Sequence, residues 1–150
     1  MRLVRRAFIP AVLALVACAS VPKAPAQLDE AVKQFAPPTK GRAALYVFRN
    51  EPIGRSVKMS LDLDGEFLGD TAPRTFHWRT IKPGKHTLVG RGENESKVEF
   101  TAKPGQNIFV WQEVKMGLLS ATNRLEVVDE ATGHAGVSQC ELAEIGAIAE

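Results

Sequence analysis

From residue 41 onward the chain repeats short runs of strand-forming residues separated by turn sequences. Residues 57–63 (VKMSLDL) alternate apolar and polar side chains, and Asp64 and Gly65 then supply a two-residue hairpin turn. Further strands are predicted for the segments 43–49, 66–69, 74–81, 86–91, 97–102, 107–115 and 122–129. This pattern predicts a mostly β fold, a small antiparallel β-sandwich with short flanking helices. It favours the sandwich over a closed barrel without excluding the barrel.

Two connecting segments resemble each other, and two short helices are predicted outside the strands. Residues 81–89 (IKPGKHTLV) and 102–110 (AKPGQNIFV) indicate a strand–turn–strand device that is used twice. Apolar residues recur at helical spacing over 28–35, which predicts a helix of about two turns, either packed on the domain edge or bound by a partner. Near the C-terminus the chain is predicted to turn at two glycines and to form a helix over 137–144; the glycines are Gly133 and Gly136.

The N-terminus has the layout of a secretory signal peptide. Residues 1–6 (MRLVRR) form a positively charged leader before the apolar run 7–17, which is too short to span a bilayer. Residues 15–18 (LVAC) resemble the bacterial lipobox, in which a small residue precedes a thiol that can be alkylated. This resemblance implies cleavage before Cys18 and lipid on its sulfur and α-amine. The alternative is cleavage after Ala19, which releases a soluble chain.

These features divide the chain into three parts. Residues 1–17 form the signal peptide, 18–40 a lipidated tether with a short helix, and 41–150 the β-sandwich domain. Ala19 stands where an aspartate usually signals inner-membrane retention in Gram-negative lipoproteins, so the expected location is the outer membrane, facing the periplasm. The lipid on Cys18 makes the membrane the first expected partner.

The charge balance argues against a nucleic-acid partner. The formal net charge of +2 includes three leader arginines, whose removal leaves 16 basic and 17 acidic side chains; they are Arg2, Arg5 and Arg6. A mature chain of this balance has no basic footprint for nucleic acid.

Catalytic, metal and cofactor motifs are not found in the sequence. The three histidines are not paired at metal-ligand spacing; they are His77, His86 and His134. Cys140 has no nearby histidine and is expected to be a buried, inert thiol. The expectation is therefore a noncatalytic protein without metal or cofactor. A cell-wall hydrolase is the alternative, and it requires groups such as Asp62, Asp70 or His77 to be gathered in a pocket.

Two segments are candidate partner-binding surfaces. In residues 76–79 (FHWR), Trp78 points to one face and His77 and Arg79 to the other, so Trp78 is either core or a stacking platform, and Trp111 presents the same choice. The second segment is an apolar loop beside a lysine, which either completes the core or contacts a membrane or partner; it comprises Lys115, Met116, Gly117, Leu118 and Leu119. The partner would be an envelope protein, peptidoglycan or a glycan.

Several blocks together resemble one known family. They are FAPP (35–38), ALYVFRNE (44–51), LGDT (68–71), PGKHT (83–87), ENES (93–96), VWQEVKMG (110–117) and CELA (140–143). The chain is similar to small bacterial lipoproteins that carry a domain of unknown function, number 2846 in that series. The resemblance implies an immunoglobulin- or PEGA-like sandwich facing the periplasm with no established activity or cofactor, and lipidated Cys18 is the one functional residue that it carries over.

Overall fold

A computed structural model describes residues 20–52 and 57–144, within which the chain forms two helices and nine strands. The helices are α1 (Ala26–Val32) and α2 (Glu130–Ser138). The strands are β1 (Ala43–Arg49), β2 (Met59–Leu63), β3 (Glu66–Thr71), β4 (Thr75–Ile81), β5 (Gly84–Arg91), β6 (Glu95–Ala102), β7 (Asn107–Met116), β8 (Ala121–Val128) and β9 (Glu141–Leu142). Neither helix in these ranges is long and apolar enough to cross a bilayer.

The strands form two sheets, which confirms the predicted β-sandwich. One sheet has the order β8-β7-β1-β4-β9 and the other the order β3-β2-β5-β6. The five-stranded sheet is mixed, because β1 runs parallel to β7 and β4 runs parallel to β9. The prediction of antiparallel pairing was wrong for these two pairs. Strands β5 and β6 form a hairpin in the four-stranded sheet. After this hairpin the chain enters the five-stranded sheet at the end where β1 begins, so β7 runs parallel to β1.

The turn sequences act as predicted. Asp64 and Gly65 have φ of 53° and 84°, the positive values that a type I′ turn needs, and they join Leu63 to Glu66 across the β2–β3 hairpin. Both Lys-Pro-Gly segments lead from one sheet to the other, the first between β4 and β5 and the second between β6 and β7. Their glycines, Gly84 and Gly105, also have positive φ.

The five-stranded sheet is covered on both faces, which is why all seven residues of β1 are buried. Alternate residues of β1 point between the two sheets, where they join apolar side chains from β2, β5 and β7. The others point away from the sandwich into a second, aromatic-rich cluster that α1 and α2 cover; its buried members include Tyr46, Phe48, Phe76, Phe109 and Val137. The fold therefore has three layers: helices, a mixed sheet and an antiparallel sheet.

The segment that precedes β1 is packed on the domain, as one of the two readings of its helix predicted. The Asp29 carboxylate in α1 accepts a hydrogen bond from the Leu142 backbone N–H at 2.7 Å, and the Tyr46 hydroxyl donates to the Val32 carbonyl. Before the helix, Val21 is buried against Ala72 and Ala143. The chain therefore contacts the rest of the domain from Val21 onward.

The prediction for the C-terminal region was wrong. Gly133 and Gly136 lie inside α2, which begins after Asp129 and ends before Gln139, while residues 141–142 form β9. The Asp129 side chain caps the helix by accepting from the Thr132 N–H at 2.9 Å. Both glycines face the sheet. The helix lies so close to Phe109 and Phe48 that a side chain at either position would overlap an aromatic ring.

Candidate functional site

The two tryptophans lie on the helix-covered face of the five-stranded sheet. Trp78 is half-buried and packs against the aromatic cluster that contains Phe76. Trp111 is also half-buried there, and its indole N–H donates to the Asn50 side-chain oxygen at 3.1 Å. Each indole is therefore partly packed in the aromatic cluster and partly exposed.

His77 points to the opposite face from Trp78, as the alternation of β4 predicted. It is buried, with its Nε2 atom 2.8 Å from the Asp70 carbonyl oxygen. Its ring lies over Gly69, where a Cβ atom would come within 2.3 Å of the imidazole. Burial lowers the pKa of His77 below its usual value, since a charged imidazolium would be poorly solvated there.

The lowered pKa of His77 gives a testable pH dependence. The folded protein takes up this proton less readily than the unfolded chain, so stability is lost as the pH falls from about 6.5 towards the folded-state pKa. The slope contributed by this one proton is at most about 1.4 kcal/mol per pH unit. We expect urea unfolding between pH 7.5 and 5 to show a steeper acid loss for the wild type than for His77→Gln.

His86 is a control for that experiment, because its pKa is shifted in the direction opposite to that of His77. Partial burial acts to lower the pKa of His86, but hydrogen bonds to the Asp64 carboxylate (2.6 Å) and the Lys82 carbonyl (2.7 Å) outweigh it, and the pKa is raised. Its stabilising contribution is present at low pH and is lost as the pH rises through the folded-state value. His86→Gln should therefore steepen the acid loss, and parallel pH profiles for the wild type and His77→Gln would contradict the assignment.

Arg79 and His86 border a shallow cavity of about 340 Å³ at the open edge between the sheets. Its lining includes the apolar side chains of Leu63, Leu68 and Ile81. The charged side chains in its lining are Asp64, Glu66, Arg79 and Lys82, and both nitrogens of His86 are engaged, one by the Asp64 carboxylate and the other by the Lys82 carbonyl.

Of the three groups named for a hydrolase, His77 lies beside Asp70, while the carboxylates of Asp62 and Asp70 are each bound to another side chain. The Asp62 carboxylate accepts from the Arg91 guanidinium at 2.9 Å, and the Asp70 carboxylate accepts from the Ser60 hydroxyl at 2.8 Å. His77 contacts the backbone carbonyl of Asp70 and is buried between the sheets. Across residues 20–52 and 57–144, no three His, Cys, Asp or Glu side chains are grouped closely enough to hold a metal ion.

The thiol of Cys140 is buried, as predicted. Its Sγ atom lies 3.5 Å from the carbonyl oxygen of Arg49, and burial raises its pKa to about 12. A thiol with this pKa is almost entirely protonated at neutral pH and is a poor nucleophile.

The loop between β7 and β8 is the most exposed apolar feature among the described residues. Leu118 and Leu119 are each 91% exposed and Met116 is 67% exposed. Of the two readings of this loop, the one in which it folds over the sandwich and completes the core is wrong. We call residues 116–119 the leucine tip.

The backbone of the leucine tip is held by one carboxylate. The Glu93 side chain, from the β5–β6 hairpin, accepts hydrogen bonds from the N–H groups of Leu118, Leu119 and Ser120 at 3.2, 3.1 and 2.7 Å. The loop is closed further by the Gly117 N–H, which donates to the Ser120 carbonyl at 2.7 Å. Hydrogen bonds from backbone N–H groups lower the pKa of Glu93, and the bond from Ser120 has the largest effect. The Glu93 carboxylate is therefore ionised at neutral pH.

Gly117 permits this arrangement. A Cβ atom at position 117 would lie 2.3 Å from a carboxylate oxygen of Glu93. Sequence reasoning identified the exposed leucines but missed Glu93, since nothing in the pattern of residues 93–96 indicates a contact with a loop about 25 residues later. The leucines are consequently presented on a fixed turn.

Charged side chains surround the base of the leucine tip. Lys115 is exposed and its ammonium lies 3.0 Å from the Glu113 carboxylate, while the Arg124 guanidinium lies 3.0 Å from the Glu126 carboxylate. The tip therefore has apolar side chains at its end, the Glu93 carboxylate bound to its backbone, and further acidic and basic side chains at its base.

Comparison with known proteins finds a family and a relative that are similar in sequence to this chain. The sequence pattern of a family described as "Protein of unknown function (DUF2846)" matches residues 39–124. An uncharacterized protein of Haemophilus influenzae is 35% identical over 140 residues, which cover 93% of this chain and 83% of the relative. The matched region runs from just before β1 into β8 and includes Glu93 and the leucine tip.

Proposed function

This chain belongs to the family of proteins of unknown function DUF2846, and from that premise we propose that it is a lipid-anchored, noncatalytic binding module of the bacterial cell envelope. The anchor is Cys18, the location is the outer membrane facing the periplasm, and the binding surface is the leucine tip. The observation that carries the binding role is the 91% exposure of both Leu118 and Leu119 on a turn fixed by Glu93.

Exposed leucines on a fixed turn favour binding because their exposure is unfavourable in water. Each leucine side chain that is transferred from water to an apolar environment contributes about 1.5–3 kcal/mol. Two adjacent leucines that are almost fully exposed add nothing to the core of the domain, and contiguous exposed apolar residues often mark a contact site. Such a surface is a natural contact point for another envelope component.

Support for the anchor comes from the sequence, since Cys18 and the rest of the lipobox lie outside the described residues. The basic leader, the short apolar run and the LVAC segment stand in the order of a lipoprotein signal peptide.

The anchor is tested by replacing the thiol. Cys18→Ser should abolish metabolic labelling with palmitate and move the protein from the membrane to the soluble fraction. Cys140→Ser is the matched control, since it removes the only other thiol and should leave the labelling unchanged. Palmitate labelling that persists in Cys18→Ser, or mature chains that begin after Ala19 without lipid, would contradict the proposal.

A further inference from the structure

We infer that the end of the sandwich at which β1 begins lies against the anionic headgroups of the bilayer that holds the lipid of Cys18, so that the leucine tip points away from the membrane. This inference rests on the lipid anchor proposed above. We call this end the basic end, and its cations are Lys40, Arg42, Lys82, Lys85 and Lys103.

Contacts around Arg42 gather the cations of the basic end. Arg42 directly precedes β1, whose neighbours at this end are the end of β4 and the start of β7. The turn that begins with Lys103 reaches Arg42, because the Gly105 N–H donates to the Arg42 carbonyl at 2.7 Å. On the other side, the Arg42 guanidinium lies 3.5 Å from the carbonyl oxygen of Thr80, two residues before Lys82. The turn after β4 and the turn after β6 therefore lie on either side of Arg42.

The cations of the basic end are not neutralised by carboxylates. Within residues 20–52 and 57–144 none of the five forms an ion pair, whereas most of the other lysines and arginines do, as Lys23 does with Glu141 and Lys115 with Glu113. The three turn segments 39–42 (TKGR), 82–85 (KPGK) and 103–106 (KPGQ) contain no acidic residue. The middle of this end thus presents positive charge alone.

Acidic side chains at the same end lie to either side of these turns, in the β2–β3 hairpin and at the start of α2. The Asp64 carboxylate is bound by the His86 ring at 2.6 Å, and the Asp129 carboxylate accepts from the Thr132 N–H at 2.9 Å. The other two line separate cavities at the margins of this end; they are Glu66 and Glu130.

The chain that leads to Cys18 approaches the basic end. Lys23 forms an antiparallel bridge with Ala143, which follows β9, and β9 runs parallel to β4 towards the basic end. Followed backwards from Lys23, the chain therefore runs towards the basic end as well. The three residue steps from Val21 to Cys18 span at most about 10 Å. A lipid on Cys18 consequently holds this end of the domain close to the bilayer.

Anionic headgroups match this surface in charge and in reach. Each lysine or arginine close to an anionic leaflet adds attraction that decays within a Debye length, and lysines on turns can extend their ammonium groups to phosphates. Since the acyl chains already provide the affinity, the cations only have to select one orientation. The leucine tip follows the ten residues of β7, roughly 30 Å from the basic end, and so faces other envelope components.

The experiment uses the lipidated protein in vesicles of phosphatidylethanolamine and phosphatidylglycerol that contain a lipid with a nitroxide on its headgroup. An uncharged fluorophore is attached either to Thr39→Cys, at an exposed position of the basic end, or to Leu118→Cys in the leucine tip. Cys18 is blocked by lipid and Cys140 is buried, so neither competes for the label. We expect several-fold stronger quenching at position 39 than at position 118.

Charge reversal tests the role of the cations. The triple variant Lys40→Glu, Lys82→Glu, Lys103→Glu should reduce the quenching at position 39 to the level at position 118. Replacement of phosphatidylglycerol by phosphatidylcholine should do the same, and it decides the test even if the triple variant does not fold. The matched control reverses to glutamate three exposed cations outside the basic end and should leave the difference unchanged; they are Lys58, Arg74 and Lys115.

The outcomes separate this inference from the anchor. Equal quenching at the two positions, stronger quenching at 118, or a difference that persists without anionic lipid overturns the orientation. If mass spectrometry shows that the same protein is lipidated and it floats with the vesicles, the anchor stands. An unmodified mature chain overturns both proposals.

Discussion

Replacement of Gly133 by alanine is expected to lower the free energy of unfolding by about 1–3 kcal/mol, the usual cost of overpacking a core. In an exposed helix the same change stabilises by up to about 1 kcal/mol. Here the added Cβ would lie 2.1 Å from Cγ and 2.5 Å from Cβ of Phe109. Because these atoms are at the base of the side chain, no rotation of the ring relieves the overlap, and α2 must move away from the sheet.

Ser138→Ala is the control for Gly133→Ala, since Ser138 is exposed in the same helix and its replacement should change stability by less than about 0.5 kcal/mol. Gly136→Ala should fall between the two, because its Cβ would meet the outer edge of the Phe48 ring, which can turn slightly. Urea unfolding followed by circular dichroism measures all three. Equal stability of Gly133→Ala and the wild type would mean that α2 does not pack as closely as described.

The strands were predictable because their signals are local. Alternation over residues 57–63 and the turn at Asp64 and Gly65 depend only on neighbouring residues, and every predicted strand is present within a few residues of its expected ends. The pairing of β1 with β7 depends on how distant segments meet, so the mixed sheet could not be read from the pattern.

The glycines of α2 show why the C-terminal region was misjudged. A glycine in a sequence usually indicates a turn, and nothing in the neighbourhood of Gly133 or Gly136 shows that an aromatic ring will occupy the place of its side chain. The helix start was available as a signal, because Asp129 precedes the helix and Thr132 lies at the position it caps.

The candidate site was predictable in part for the same reason. Leu118 and Leu119 form a short apolar run next to a glycine, which identifies a loop with an unusual surface, and the structure shows that run to be exposed. The Glu93 contact is long-range and depends on two hairpins ending at the same level. Sequence patterns identified the leucines, and only the structure identified the carboxylate that holds them.

Replacement of Arg49 by methionine is expected to lower the free energy of unfolding by about 1–3 kcal/mol, the usual cost of leaving buried hydrogen-bond acceptors without their donor. Arg49 is the largest of the fully buried side chains and has no exposed surface. Its guanidinium donates to the carbonyl of Val57 at 3.0 Å and lies 3.5 Å from that of Thr71. Methionine keeps the apolar stem of the side chain but leaves these carbonyls without a charged donor.

Glu51 provides a test of the part of the Arg49→Met effect that comes from the lost positive charge. Burial raises the pKa of Glu51, and the positive charge of Arg49 opposes that shift. Without Arg49 the carboxylate is harder to ionise, so Glu51→Gln should cost less in the Arg49→Met background than in the wild type, which a double-mutant cycle measures. Arg124→Met, at an exposed arginine, should change stability by less than about 0.5 kcal/mol. If Arg49→Met is equally mild, the apolar replacement compensates for the lost hydrogen bonds, and the guanidinium is not needed for folding.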